Sequence, residues 1–337
     1  MSLAGCDASH TRHDTTIALV DSVRVQESEQ LFVGFPNAIA AGPRGIVFIS
    51  DLVEQKVWRV EADGRLTIVA SKGGGPGEVM NPVSLTILGD TVLAIKNSGQ
   101  RIVELFDIEP QRFRVNMPIA FPTHALSSWK GTLLLPAMMP DSNFAFAVIL
   151  DSTRAPIRGG SVPEIYRRLP PIAQAFGAVE VSRDDSTVAG VFEASNTIYR
   201  WHLSRTKVDS IVLAVTKRRG AQPAVLEALL SDPKKAPTLL YTWSFPMLLA
   251  TQSGERTAIV SYDPTLRKGK FSGPSYLQLV DWRRLVSCRE LALPVPTEIP
   301  PRFAMRGDTL IAVVQHADSA LGASSWIVRW RVGAQGC

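Results

Sequence analysis

The sequence predicts an all-β fold in which six similar units, each of about four strands, form one closed ring. The first observation is a repeat of short apolar strands and tight polar turns, in which the turns at Gly45 and Gly89 are 44 residues apart. The second is the content of 24 glycines and 23 prolines, which supplies the turns that short strands need. A period of this length is typical of one propeller blade, so we expect a six-bladed β-propeller.

The first two units carry the clearest repeat. In the first unit, Phe35-Pro36 opens a strand that ends at the turn Pro43-Arg44-Gly45, and an apolar strand at 46–49 leads to Ser50-Asp51. The unit then continues through an alternating strand, a turn, a last strand and a glycine-rich link at residues 56–60, 63–64, 66–69 and 73–78. The second unit restarts at Asn81-Pro82 and ends at Asp107.

This order of strands and turns resembles the NHL-type repeat of six-bladed β-propellers over residues 35–107. The resemblance is specific there and weaker in the rest of the chain. It implies a fold and no particular reaction, because propellers carry many unrelated functions.

Four degraded units follow. Their polar turns lie near residues 131, 185, 254 and 307, and the turn-to-turn spacings after the first are 42, 54, 69 and 53 residues. The longer spacings indicate insertions on a constant frame. Strands that lie between neighbouring blades are buried on both faces, which explains why their polar-apolar alternation is lost.

Two segments depart from the repeat. The sixth unit stops after three strands, whereas residues 16–25 form a strand without a hairpin partner, so we expect this N-terminal strand to complete the last blade and close the ring. Residues 217–241 break the β pattern, and Pro223 precedes leucines at helical spacing. We therefore predict one short helix inserted between blades four and five of a single domain covering 15–337.

The first residues resemble a bacterial lipoprotein start. Leu3-Ala4-Gly5-Cys6 matches a lipobox, with Cys6 as the lipidation site, and residues 1–14 read as that start and a flexible tether. Only five residues precede Cys6, whereas an export signal needs a basic region and about 7–15 apolar residues, so an accidental match stays open. We expect a lipid-anchored protein on the periplasmic or cell-surface side of a bacterial membrane.

The cysteines bear on the cellular compartment of the protein, and the net charge bears on the kind of partner it binds. With Cys6 lipidated, Cys288 and Cys337 remain as a candidate extracytoplasmic disulfide, and two unpaired thiols are the alternative. The net charge of +5 suits an anionic membrane surface or an acidic protein. The sequence lacks the dense basic clusters of a nucleic-acid-binding protein, so we expect no nucleic-acid partner.

The leading functional hypothesis is a non-catalytic protein-binding scaffold. Propellers of the kind this chain resembles serve as accessory subunits of outer-membrane, respiratory and photosynthetic complexes, which implies protein subunits of a membrane complex as partners and no cofactor. The candidate partner-binding residues are a basic cluster and two leucines of the predicted helix: Lys217, Arg218, Arg219, Leu226 and Leu229.

The alternative is a calcium-dependent lactonase or esterase. Enzymes of that class with six blades hold a metal at one mouth of the channel, and their oxygen-rich ligands suit Ca²⁺. The loops after the second strand of each unit offer Asp51, Asn97, Glu193, Asp263 and His316. The third unit has Ala137-Met138-Met139 there instead, and the sequence contains no Gly-x-Ser-x-Gly, Walker or His-Glu-x-x-His motif.

Overall fold

The structure is a computed structural model, and it describes residues 14–119, 123, 125–136, 144–149, 157–168, 179–184, 186–193, 195–203, 207–220, 222–232, 234, 244–253, 255–267, 270–296, 299–318 and 322–335. These residues form six antiparallel blade sheets around a central channel, and a seventh sheet is a small two-stranded hairpin. The predicted all-β, six-bladed propeller is therefore confirmed. Within each blade, the strands are described from the channel outward.

The first three blades each contain four consecutive strands. The first element of the described part is β1 (Asp14–Arg24), which belongs to the last blade. Blade 1 contains β2 (Pro36–Ala41), β3 (Val47–Asp51), β4 (Lys56–Val60) and β5 (Leu66–Ala70). Blade 2 contains β6 (Pro82–Leu88), β7 (Val92–Asn97), β8 (Ile102–Asp107) and β9 (Arg112–Pro118). Blade 3 contains β10 (Ser127–Trp129), β11 (Thr132–Pro136), β12 (Phe144–Ile149) and β13 (Ile157–Ser161).

Blades 4 to 6 carry the additional elements. A single helical turn, α1 (Glu164–Arg167), precedes blade 4, which contains β14 (Val179–Arg183), β15 (Thr187–Phe192), β16 (Thr197–His202) and β17 (Val208–Val212). Helix α2 (Pro223–Ser231) follows it. Blade 5 contains β18 (Phe245–Ser253), β19 (Arg256–Tyr262), a small hairpin of β20 (Thr265–Arg267) and β21 (Lys270–Ser272), then β22 (Ser275–Asp281), β23 (Val286–Ser287) and β24 (Leu291–Ala292). Blade 6 contains β25 (Arg302–Arg306), β26 (Thr309–Asp318), β27 (Gly322–Gln335) and finally β1.

Strand β1 lies at the outer edge of blade 6. It runs antiparallel to β27 from the Asp14–Gln335 pair to the Arg24–Trp326 pair, with one bulge near Leu19. Its side chain Ile17 packs against the core between blades 5 and 6. The two ends of the described chain thus share one blade.

The second strand of each blade explains the missing alternation in the sequence. All five residues of β3 are buried. Val47 and Ile49 pack in one cluster with Ile311 of blade 6, whereas Phe48 packs in another with Leu93 of blade 2. Because the two faces of the sheet contact two different blades, both faces must be apolar.

Arginines of the third strands tie three of the blades to the next blade. Arg59 of β4 donates to the carbonyl oxygen of Ile108 in blade 2 at 3.0 Å, and Arg329 of β27 donates to that of Gly45 in blade 1 at 2.9 Å. Arg200 of β16 lies 4.7 Å from the centre of an indole ring in blade 5. A buried guanidinium that satisfies a neighbouring backbone fixes how two blades pack.

The turns between first and second strands have the backbone that the sequence predicts. Gly45, Gly89, Gly131 and Gly307 have φ values of 79°, 54°, 78° and 58°. Glycine adopts this left-handed region without the penalty that a Cβ atom brings. The corresponding positions of blades 4 and 5 lie outside the described residues.

Candidate binding site in the central channel

The central channel of the propeller forms a large cavity. Its volume is about 1520 Å³, and the innermost strand of every blade contributes to its wall. This exceeds the roughly 300–1,000 Å³ of a typical small-molecule site, so a small ligand fits with water beside it.

One end of the channel wall combines a cation with aromatic rings. Arg302, at the start of β25, lies with its guanidinium 5.9 Å from the ring centre of Phe35. Tyr262, at the end of β19, lines the same cavity. Burial raises the pKa of the Tyr262 phenol, although the nearby Arg302 opposes this, so the hydroxyl is protonated at neutral pH and can donate a hydrogen bond. Burial lowers the pKa of Arg302, but a guanidinium starts so high that it stays charged.

The turn end of the channel wall is held by an ion pair between blades. Arg306 of β25 donates through both terminal nitrogens to Asp90 of blade 2, each at 2.9 Å. This hydrogen bond from Arg306 lowers the pKa of Asp90, against a smaller effect of burial. The Lys130 ammonium lies 5.1 Å from the centre of the Trp129 ring in blade 3.

Asp51 organises a loop and does not face the channel. Its buried carboxylate accepts four backbone N–H groups and one indole N–H, from Gly34, Phe35, Val53, Glu54 and Trp58, at 2.6–3.4 Å. A carboxylate that is used in this way has little capacity left for a metal ion.

Asn97 occupies the equivalent place in blade 2. Its side-chain oxygen accepts from the backbone of Met80 at 3.1 Å, and its amide donates to the carbonyl of Glu78 and to Gln100. Asn97 is fully buried. The side chains of Asp51 and Asn97 therefore stabilise the loop that precedes the first strand of their blade and the loop that follows their own strand.

The other predicted metal ligands lie apart. Glu193 lines the channel, whereas Asp263 forms an ion pair with Arg219 at 2.7 Å. His316 lies in a separate groove of about 440 Å³ on blade 6, beside Leu19 and Trp330. Among the residues that the structure describes, no three His, Cys, Asp or Glu side chains could hold one metal ion. The predicted Ca²⁺ site of Asp51, Asn97, Glu193 and His316 is thus not assembled, because these side chains serve different local structures.

The predicted basic partner site is partly internal. Arg218 is buried and pairs at 3.2 Å with Glu290, whose carboxylate also accepts the backbone N–H groups of Thr216 and Lys217. Arg219 pairs with Asp263. Lys217 is exposed and the Arg219 side chain is 37% exposed, whereas Arg218 is buried. The burial of Arg218 removes it from a binding surface, and the predicted partner-binding role of Lys217 and Arg219 stays a prediction.

Helix α2 is present, but the side chains of Leu226 and Leu229 lie outside the described part, and their predicted role in partner binding stays a prediction.

Cys288 is disulfide-bonded. Cys6 and Cys337 lie outside the described residues, so the Cys288–Cys337 pairing and the lipidation of Cys6 also stay predictions. No helix in the described part of the chain is long and apolar enough to cross a bilayer.

An exposed apolar surface at the boundary of blades 4 and 5 was not predicted. Val212 of β17 and Leu285 of the β22–β23 turn are 74% and 55% exposed. The two segments meet where the Ser287 hydroxyl donates to the Val212 carbonyl at 3.4 Å. We name Val208, Val212 and Leu285 the rim surface.

Several solved structures share this architecture. A Bacteroides fragilis protein described as exported matches with a TM-score of 0.62 at 14% identity, covering 94% of this chain and 95% of that chain. A gluconolactonase from Xanthomonas campestris matches at 0.53 and 10% identity, covering 93% and 98%. Virginiamycin B lyase from Staphylococcus aureus matches at 0.52 and 10% identity, covering 94% and 99%. At such identities the similarity shows the propeller fold alone. No protein-family model and no curated protein sequence matches the chain.

Proposed function

We propose that this chain is a non-catalytic, extracytoplasmic β-propeller that binds a protein subunit of a membrane complex through the rim surface. The observation that carries the proposal is Leu285, which is 55% exposed and has a φ of 56°. A bulky residue is rarely found in the left-handed region, where asparagine or glycine is more stable. An exposed leucine held in this conformation is costly for the isolated protein, which suggests a role in binding.

Two hydrogen bonds to one carboxylate hold the turn that carries Leu285. The Asp281 carboxylate accepts the backbone N–H groups of Arg283 and Arg284 at 2.9 and 3.0 Å. Hydrogen bonds to a charged acceptor are the stronger kind, so the turn is ordered before a partner arrives. A preorganised anchor loses less conformational entropy on binding.

Charge around the rim surface indicates the chemistry of the partner. Arg283 and Arg284 are exposed directly beside Leu285, and Lys217 is exposed in the segment after β17. We therefore expect a partner surface with an apolar centre and acidic side chains around it. The attraction of these charges should weaken with salt, since charges are screened over about 8 Å at physiological ionic strength.

Two observations support an extracytoplasmic location. The disulfide at Cys288 is of a kind that persists in oxidising compartments. A protein described as exported shares the fold over nearly its whole length. The class of complex, whether outer-membrane, respiratory or photosynthetic, follows only from the resemblance to NHL-type propellers.

The test is to cross-link the protein in its native membrane, identify the recovered subunit, and measure its affinity for purified variants. Leu285→Asn should keep or raise stability, because asparagine tolerates this backbone, and should lower the affinity by about tenfold or more. Val115→Asn is the matched control, since Val115 is 47% exposed on the outer strand of blade 2. Equal affinities of the two variants for the identified subunit would refute the rim surface.

A further inference from the structure

Two arginines of strand β25 differ in their partners although they share one wall. Arg302 and Arg306 are four residues apart on one strand, so their side chains point to the same face. Both line the central channel. Arg306 binds Asp90 through two hydrogen bonds of 2.9 Å. Arg302 lines the same channel, but in the described part of the chain it has no comparable ion pair with a carboxylate.

No carboxylate is paired with Arg302 among the residues that the structure describes. Its Nε is buried without a hydrogen-bond acceptor, and the ring of Phe35 is its nearby aromatic contact. A buried charge without a counter-charge destabilises a protein, because solvation is lost and nothing replaces it. The group is therefore ready to accept an anion.

Two acidic side chains of this region, Asp263 and Asp90, are paired with other arginines. Asp263, directly after Tyr262, accepts the Arg219 side chain at 2.7 Å. Asp90 is held by Arg306. Both of these carboxylates are therefore already paired with arginines other than Arg302.

We propose that the channel binds a small organic anion through a carboxylate that pairs with the guanidinium of Arg302. The planar fork of arginine matches the two oxygens of a carboxylate. Tyr262 lines the same cavity, and Phe35 with Met247 of β18 supplies apolar surface for the body of the ligand. This site lies in the channel and is separate from the rim surface, so it goes beyond the proposed protein-binding function.

The experiment is isothermal titration calorimetry of the full chain with benzoate, adipate and citrate. Benzamide tests the need for negative charge, and inorganic phosphate tests whether any anion suffices. We expect at least one carboxylate to bind and neither control compound to match it. Absence of binding by all three carboxylates, or tighter binding of phosphate than of each of them, would overturn the proposal.

Variants separate a binding role from a structural one. Arg302→Met should lower carboxylate affinity at least tenfold, and Arg302→Lys should lower it less, because the charge remains without the fork. Arg306→Met is the matched control from the same strand and should stay within twofold of the unmodified protein. If Arg302→Met and Arg306→Met bind equally well, Arg302 is not the carboxylate site. Leu285→Asn should leave carboxylate binding unchanged, so this test is independent of the partner-binding one.

Discussion

At the scale of single residues, this protein uses buried carboxylates mainly to hold backbone. Asp51 and Glu290 each collect several N–H donors from neighbouring loops. The sequence placed Asp51 among candidate metal ligands because an acid after an apolar strand suits both roles. A metal ligand and an acceptor of backbone N–H groups differ only in which groups surround the carboxylate. Those surroundings depend on the tertiary structure, because several of the N–H donors come from other segments of the chain.

Removal of the Asp51 carboxylate should destabilise the whole fold. Asp51→Ala leaves buried N–H groups of the loop without an acceptor, which we expect to cost about 3 kcal/mol in the free energy of unfolding by urea. Asp63→Ala is the control, because exposed Asp63 accepts one N–H, from Arg65, and should cost less than about 1 kcal/mol. Similar losses in the two variants would contradict the loop-organising role.

Glu104 makes stability depend on pH. Burial, with a smaller contribution from Glu78, raises the pKa of this carboxyl to about 7, and neither of its oxygens has a hydrogen-bond partner in the described structure. The folded state therefore binds a proton that the unfolded chain has already released above its ordinary pKa. Stability should fall as the pH rises from about 5 to about 8, by on the order of 1–3 kcal/mol relative to Glu104→Gln.

Urea unfolding at several pH values checks this slope. Exposed Glu255 provides the control, because Glu255→Gln should retain the pH dependence of the unmodified protein. A Glu104→Gln variant with the same slope as the unmodified protein would show that Glu104 is not responsible.

At the scale of strands, the repeat was predictable and its side-chain assignments were not. The apolar second strands and the glycine turns depend on the residues of each segment alone, so their positions were predicted correctly. Arg218 and Arg219 were predicted as partner-binding residues, yet each is paired with an acidic side chain of blade 5. Their acids lie 72 and 44 residues away, at a distance that no local pattern reveals.

Arg302 could have been identified as a candidate binding residue from the sequence, but it was not predicted. In blades 1, 2, 5 and 6 a proline stands at or next to the start of the innermost strand, and the residue after it is Asn37, Val83, Met247 and Arg302, respectively. Arg302 is the one charged residue in that series. An aligned comparison of the units would therefore have identified it.

The N-terminal strand should be essential for stability of the ring. Deletion of residues 1–13 leaves β1 intact and should not change the thermal unfolding temperature. Deletion of residues 1–25 removes the pairing with β27 and the packing of Ile17, and should lower the Tm by about 5 °C or more. Equal Tm values for the two truncated proteins would show that β1 does not contribute to closure.

At the scale of the whole molecule, β1 places the predicted anchor beside one blade. Asp14 comes eight positions after Cys6, so an extended tether reaches at most about 28 Å. Blade 6 would therefore face the membrane. Leu19 and Val20 of β1 are 64% and 51% exposed on this side, and can add an apolar contact with lipid.

The anchor is tested by expressing the protein in its native host and separating membrane from soluble periplasmic fractions. If Cys6 is acylated, Cys6→Ser should move the protein to the soluble fraction, whereas Ser9→Ala in the same tether should leave it on the membrane. Because one acyl chain gives only marginal binding, Leu19→Asp should release part of the protein even with Cys6 intact. Mass spectrometry of the native protein provides the decisive measurement, since an unmodified Cys6 would rule out the lipid anchor whatever the fractions show.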